Sequence, residues 1–231
     1  MTKDISRPYR RLWGRAKGKP LSRYQAGLVT DKLPNIALDM KNPLAGLEHY
    51  KSVRLEIGFG GAEHLLHRAL ENPDTGFIGV EPFLNGIAKA MVGIEKSSLT
   101  NIRLHHGDVW QFLEKIPDTS IAHIDILYPD PWPKPRHYKR RLIKQDLITE
   151  FHRILKPGKE LHFASDIPSY IDWALARILK HGGFAWSAES AADWQTPYNG
   201  WPSTRYEAKA LREGRTPHYF TFIRQDAPAT L

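Results

Sequence analysis

Val53-Arg54-Leu55-Glu56-Ile57-Gly58-Phe59-Gly60-Gly61-Ala62-Glu63 begins as an apolar run, breaks into glycines and ends where an amphipathic segment starts. The pattern predicts a buried strand over 53–57, a glycine turn over 58–62 and a helix over 63–70. The same alternation continues downstream. Strands are expected over 76–80, 102–106, 121–128 and 160–164, with helical stretches over 83–95, 143–155 and 170–180. Strands separated by helices of this length predict βαβ units and a parallel sheet. Pro157-Gly158 is expected to stop the helix over 143–155. Late strands over 184–188 and 219–224 flank a Trp/Pro/Gly loop (193–203) and a short helix (204–213). Upstream, residues 1–22 read as irregular and 23–33 as a short helix ending before Pro34. The expected organisation is a basic, partly disordered arm over 1–34 and one α/β domain over 35–231.

Composition sets limits on that domain. With 231 residues, 41% of them hydrophobic and 25% charged, the chain has the composition of an ordinary globular protein. No apolar run approaches the ~18 residues of a membrane span, and no apolar stretch follows the N-terminal charges as a secretory signal would require. Cysteine is absent, which excludes disulfides, thiolate metal sites and a cysteine nucleophile, and fits a cytoplasmic protein. Basic charge is segregated. Residues 1–23 hold eight Lys/Arg against Asp4 alone, and 134–144 holds six with no acid. The remaining residues carry 19 bases against 24 acids. A mildly acidic body with a basic arm and a basic loop predicts a polyanionic partner, nucleic acid first. The arm is expected to serve affinity for that partner, not the ligand pocket.

In an open parallel sheet, ligands bind beyond the carboxyl ends of the strands. The glycine turn there is not a dinucleotide fingerprint, because Glu63 stands where the third glycine is required. Glu56 before the turn and Glu63 at the helix start would both repel a pyrophosphate. A cationic ligand fits better, and S-adenosyl-L-methionine carries an ammonium and a sulfonium but no phosphate. Glu81 ends the second strand, placed to accept from two ribose hydroxyls. Asp108 follows the third, placed to accept from an adenine amino group. Tyr128-Pro129-Asp130-Pro131-Trp132-Pro133 then follows the fourth strand as a stiff loop that holds one acid at the sheet's edge. It runs directly into the basic cluster 134–144.

Taken together, Glu56-Ile57-Gly58-Phe59-Gly60, Gly79-Val80-Glu81, Pro129-Asp130-Pro131-Trp132-Pro133-Lys134, Arg136-His137-Tyr138-Lys139-Arg140-Arg141, Ala164-Ser165-Asp166 and Thr204-Arg205-Tyr206-Glu207 closely resemble the motifs of the bacterial tRNA (guanine-N7-)-methyltransferases. The resemblance covers about residues 50–224. It implies a class I S-adenosylmethionine-dependent methyltransferase fold (Rossmann-like), with a seven-stranded, mainly parallel sheet and helices on both faces. It implies methylation of guanine 46 in the tRNA variable loop. By the same resemblance, Glu56, Gly58, Gly60, Glu81, Asp108 and Asp130 hold the cofactor, and Asp130 is the catalytic residue. Lys134, Asp166, Thr204, Arg205, Tyr206 and Glu207 hold the substrate, and Arg136, His137, Lys139, Arg140 and Arg141 contact RNA. Ala62 stands where the family usually has a further glycine; with a negative φ it would still let the backbone approach the ligand closely.

The chemistry agrees with that implication. Guanine N7 already offers a lone pair, so transfer needs no base, metal or covalent intermediate, and alignment and desolvation suffice. Asp130 could stabilise the positive charge passing to the purine. Asp166 and Glu207 would accept from guanine N1–H and N2–H2. Because A-form RNA hides N7 in a deep groove, a loop guanine is the expected target. Glu63-His64-Leu65-Leu66-His67 does not have the zincin order and reads as a helix face. Trp194, Tyr198 and Trp201 either stack on a base or pack their loop onto the domain. An exocyclic-amino methyltransferase is the runner-up, weakened because one proline separates Asp130 from Trp132. A non-catalytic RNA-binding protein on the same scaffold would be expected to lose the cofactor carboxylates, yet all are present. Nothing in the sequence points to an obligate protein partner.

Overall fold

The computed structural model describes residues 13–14 and 18–226. Seven strands form one sheet in the order β3-β2-β1-β4-β5-β7-β6. They are β1 Ser52–Ile57, β2 Thr75–Val80, β3 Ile102–His105, β4 Ile121–Leu127, β5 Leu155–Ser165, β6 Phe184–Trp186 and β7 His218–Arg224. β1 pairs in parallel with β2 and β4, β2 with β3, and β4 with β5. β7 alone runs antiparallel to its neighbours β5 and β6. The sheet is therefore mainly parallel, as the repeat of strands and helices requires. Strand order reverses between β1 and β4, which is where such sheets open a ligand crevice.

Helices cover both faces. On one, Leu55, Ile57, Ile78, Ile124, Ile126, Leu161 and Phe163 pack against α5 (Gln145–Ile154) and α6 (Pro168–His181). On the other, Phe77, Ile102 and Leu104 pack against α3 (Glu63–Glu71) and α4 (Leu84–Ser97). At the middle of this second face the inward positions are polar: Arg54 and Glu56 of β1, Asp125 of β4 and His162 of β5, all buried. Burying four ionisable side chains is costly unless each finds a partner: Arg54, Asp125 and His162 pair with one another, and Glu56 pairs with His64 of α3.

Three expectations are corrected. The first helix does not end before Pro34. Helical backbone runs from Arg23–Gly27 through a wide π turn, Leu28–Lys32, into Leu33–Ile36. Leu33 N–H reaches back five residues to the Leu28 carbonyl, and this wider turn carries the chain past the N–H that Pro34 lacks. Leu28 is buried against α4, so this segment packs with the domain and does not belong to a free arm. Second, the helix before β5 ends at Ile154, and Pro157-Gly158 lies inside β5 itself. Pairing jumps from Ile121↔Leu155 to His123↔Glu160, so three extra residues of β5 loop out, with Gly158 at φ +69°. Third, β6 is three residues long, ending at Trp186. The expected disorder of the arm concerns residues 1–12 and 15–17, which lie outside the described residues. Of the remainder, Asn85 Nδ2 donates to the Lys19 carbonyl at 2.8 Å, fastening the chain to the start of α4.

Candidate active site

The turn after β1 is built from left-handed backbone: Gly58 at φ +76°, Gly60 at +57° and Ala62 at +65°. A side chain at Gly58 would meet nothing within 4 Å, so that residue faces open space. Ala62 corrects the sequence reading, because its φ is positive. It takes the left-handed conformation a glycine would supply, at a cost of about 1–2 kcal/mol. Ala62 is fully buried beneath the turn, and its N–H donates to the Phe59 carbonyl at 2.8 Å. Gly86 of α4 approaches so closely that a Cβ there would sit 2.5 Å from the Gly60 carbonyl.

The turn forms one wall of a cavity of about 460 Å3, whose remaining walls include Glu81, Asp108, Tyr128, Asp130, Trp132 and Tyr206. Glu81 is buried, and its carboxylate is held on both oxygens by backbone donors, from Gly60 N–H at 2.7 Å and Phe83 N–H at 2.9 Å. Burial nevertheless raises its pKa, more than these bonds lower it. Asp108 accepts from Trp110 N–H at 3.1 Å and caps a short helical turn. Asp130 is raised by burial. Its loop is flanked by two non-glycine residues in left-handed backbone, Tyr128 at φ +51° and Trp132 at φ +43°, strain of a kind that persists where surrounding structure fixes it. Glu56 does not line this cavity. It lies beneath the turn in a smaller pocket with Gly58, Tyr128 and Tyr206, where its Oε2 is 2.7 Å from His64 Nδ1.

The basic loop divides in two. Lys134, Arg136 and Lys139 are exposed and available to a polyanion, and His137 packs edge-on against Trp132. Arg140 lies between Trp13, at 4.2 Å, and Trp132, at 4.9 Å, and lines the cavity with them. The expectation that Arg141 contacts RNA is corrected: it is only 1% exposed. It donates to the carbonyls of Pro131 at 2.8 Å and Ser169 at 2.9 Å and lies 3.8 Å over the Tyr138 ring. Its work is to tie the acidic loop to α6.

The residues after 203 are mostly engaged within the protein. Thr204 caps α8 (Arg205–Arg212), accepting from Glu207 N–H. Glu207 is buried and accepts hydrogen bonds from Trp201 Nε1 at 2.8 Å, Thr204 N–H and the Tyr219 hydroxyl. It is a structural carboxylate here, not an open acceptor for guanine. Asp166 pairs with Arg215 at 2.5 Å, a partner that no sequence pattern pointed to. Arg205 pairs with Glu63 at the start of α3. Tyr206 is 45% exposed and lies over Gly60, near-parallel to Tyr128. Of the expected substrate residues, Arg205 and Tyr206 line the cavity.

The polar face of the sheet explains the histidines. Arg54 pairs with Asp125 through both Nε and Nη2; burial opposes the carboxylate's charge, but the Arg54 charge and hydrogen bonds, with the bond from His162, together hold Asp125 well below the usual carboxylate range. Burial opposes a charge on His162, yet Asp125 at 3.0 Å and Glu160 at 3.0 Å outweigh it and raise its pKa. His123, Glu160 and His162 have the geometry to hold a cation, but His162 between two carboxylates, with Arg54 beside it, already balances the charge. Tyr198 and Trp201 pack their loop onto this face: Tyr198 stacks on His162 at 4.1 Å, and Trp201 meets Tyr219 edge-on.

Comparison with known proteins agrees with this architecture. A family model described as "Putative methyltransferase" matches residues 50–220. The chain is 51% identical to the tRNA (guanine-N(7)-)-methyltransferase of Agrobacterium fabrum over 95% of this chain and 97% of that one. It is 54% identical to the enzyme of that name from Rhizobium meliloti over 92% and 94%. Among solved structures, the antibiotic-resistance methyltransferase Kmr aligns with TM-score 0.51 at 17% identity, over 78% of this chain and 90% of that one. The [4+2]-cyclase SpnF aligns with TM-score 0.53 at 12% identity, over 87% and 82%. These two show the fold alone.

Proposed function

Because the chain belongs to the tRNA (guanine-N(7)-)-methyltransferase family, we propose that its cavity brings S-adenosyl-L-methionine against N7 of a tRNA guanine, and that this is guanine 46 of the variable loop. The observation that carries this reading is the convergence of Glu81, Asp108 and Asp130 on one cavity at the sheet's switch point, with an exposed basic loop leading from its rim.

The residues fit that cofactor. The cavity lies within the usual range for ligand sites, about 300–1,000 Å3, and its acids suit a cationic ligand. Glu81, pinned by Gly60 and Phe83, keeps lone pairs for ribose hydroxyls. Asp108 stands where it can accept from the adenine amino group. Gly58 leaves room for the ligand to lie against the backbone. The cofactor supplies an electrophilic methyl on sulfur. Guanine N7 forms the new carbon–nitrogen bond as the carbon–sulfur bond breaks, so the protein moves no proton from N7. Asp130 faces the positive charge that the purine gains, in a site whose burial strengthens the interaction. Its carboxylate must be ionised to do so.

Lys134, Arg136 and Lys139 contact tRNA phosphates, and Arg205 and Tyr206 meet the target nucleotide at the cavity's edge. The setting is the cytoplasm, and no helix among the described residues is long and apolar enough to cross a membrane. The experiment is incubation of unmodified tRNA with labelled cofactor and mass spectrometry of the digested nucleosides. N7-methylguanosine is the expected product. Label on an exocyclic amine or a ribose would overturn the reading in favour of the runner-up.

A further inference from the structure

His64 and Tyr198 have no assigned role, yet together they join the cofactor side of the molecule to its RNA side. Glu56 Oε2 is 2.7 Å from His64 Nδ1, and His64 Nε2 is 2.8 Å from the Tyr198 hydroxyl. The neutral tautomer that serves both bonds has Nδ1–H donating to Glu56 and Nε2 accepting the tyrosine O–H, whose oxygen also lies 3.4 Å from Asp125 Oδ1. Glu56 and His64 are both nearly inaccessible, at 3% and 2%, so neither can turn to water instead.

Tyr198 comes from the loop that delivers α8. Trp201, three residues on, donates to Glu207 at 2.8 Å, and Arg68 of α3 donates to the Gly200 carbonyl at 3.2 Å. Arg205, on the far side of that loop, pairs with Glu63. Adjacent residues at the start of α3, Glu63 and His64, are thus gripped by Arg205 and Tyr198. The glycine turn sits directly before them in sequence. The contacts of Arg205 and Tyr198 therefore tie segment 198–206 to the residues that directly follow the glycine turn, and through His64 to Glu56.

We propose that Tyr198 and His64 are positioning residues that couple occupancy of the RNA-facing segment 198–206 to cofactor affinity, so that tRNA and cofactor bind cooperatively. This rests on the reading that the turn after β1 holds the cofactor. Coupling of this kind is reciprocal, and each ligand must tighten the other by the same factor.

The test measures affinity for S-adenosylhomocysteine with and without saturating unmodified tRNA, and for tRNA with and without S-adenosylhomocysteine. It is run on the wild-type chain, on Tyr198→Phe and on His64→Asn. Tyr198→Phe keeps the ring stacked on His162 and removes only the hydroxyl; His64→Asn keeps an N–H for Glu56 and removes the acceptor for Tyr198. In the wild type, each ligand should tighten the other at least about fivefold. Tyr198→Phe should weaken S-adenosylhomocysteine binding about tenfold and bring the coupling factor close to one. His64→Asn breaks the same hydrogen bond while keeping the one to Glu56, so it should weaken binding by a similar factor and lose the coupling as well. Independent binding of the two ligands in the wild type, or coupling unchanged in both variants, would overturn the proposal. A wild-type chain that does not bind S-adenosylhomocysteine at all would instead overturn the cofactor reading, and the proposal with it.

Discussion

Asp130 and Arg141 are eleven residues apart on one loop system, and their environments assign them opposite work. Burial raises the pKa of Asp130, so folding disfavours its charge, and at neutral pH the charged carboxylate stabilises the fold less than a neutral group would. Asp130→Asn should therefore leave the melting temperature unchanged or slightly higher. Turnover should fall about tenfold to more than a hundredfold, the rate equivalent of a lost charged hydrogen bond; near-normal turnover in the purified variant would remove the residue from its catalytic role. The same raised pKa should make activity fall on acidification at a pH above the ordinary aspartate value of about 3.9, seen in a kcat profile from pH 4 to 8. Arg141 is the reverse case. Removing its side chain would strand the Pro131 and Ser169 carbonyls it serves. Arg141→Ala should cost about 2–4 kcal/mol and so lower the melting temperature by several degrees, at about 2–4 °C per kcal/mol. Lys139→Ala, on the same loop but exposed, should leave melting unchanged and weaken tRNA binding. The sequence marks Lys139 and Arg141 alike as cations in a basic run, and only packing separates them.

The polar face shared by β1, β4 and β5 has its own pH signature. Asp125 is held low by Arg54, and Glu160 is held low by His123 and His162. Their stabilisation is full above the unfolded carboxylate range and is lost progressively as pH falls below that range towards their lower folded values. His162 is raised, so its contribution is full below about 6.5 and is lost as pH rises through its folded value. The melting temperature should therefore decline from pH 6.5 towards 8.5, and His162→Gln should flatten that decline; identical slopes in differential scanning calorimetry would contradict the assignment. These elements also show where sequence reading succeeds and stops. The parallel sheet is legible because apolar strands alternate with amphipathic helices, and the cavity acids are legible because each follows a strand end. The network is not, since Arg54, Asp125 and His162 meet only through the register of β1, β4 and β5. Family resemblance makes Glu207 a guanine acceptor, although Thr204 and Glu207 have the spacing of a capping box and form one. Pro34 reads as a stop because a π turn leaves no local mark.

Glu81, Asp108 and Asp130 share the cavity walls with Arg140, Lys144 and Arg205, and the exposed cations Lys134, Arg136 and Lys139 stand on the loop outside it. Trp13 and Gly14 belong to the cavity wall, a placement that the arm's basic composition does not suggest. Removing residues 1–12, with Lys3, Arg7, Arg10 and Arg11, should weaken tRNA binding and leave S-adenosylhomocysteine binding intact. The log–log salt slope should become shallower by about 0.7 for each single-strand phosphate that the arm no longer neutralises. Removing residues 1–14 should weaken S-adenosylhomocysteine binding as well; equal cofactor affinity in the two truncations, by calorimetry, would show that Trp13 is no part of the site. The most direct measurement of what the assembled molecule does is chemical. N7-methylated guanine carries a positive charge and a labile glycosidic bond, so borohydride reduction followed by aniline cuts RNA at that nucleotide. A tRNA transcript methylated by the wild-type chain should be cut once, at guanine 46 of the variable loop, and the Asp130→Asn variant, given the same time, should leave most of it uncut. Methyl incorporation without a cut, or a cut at another guanine, would contradict the account.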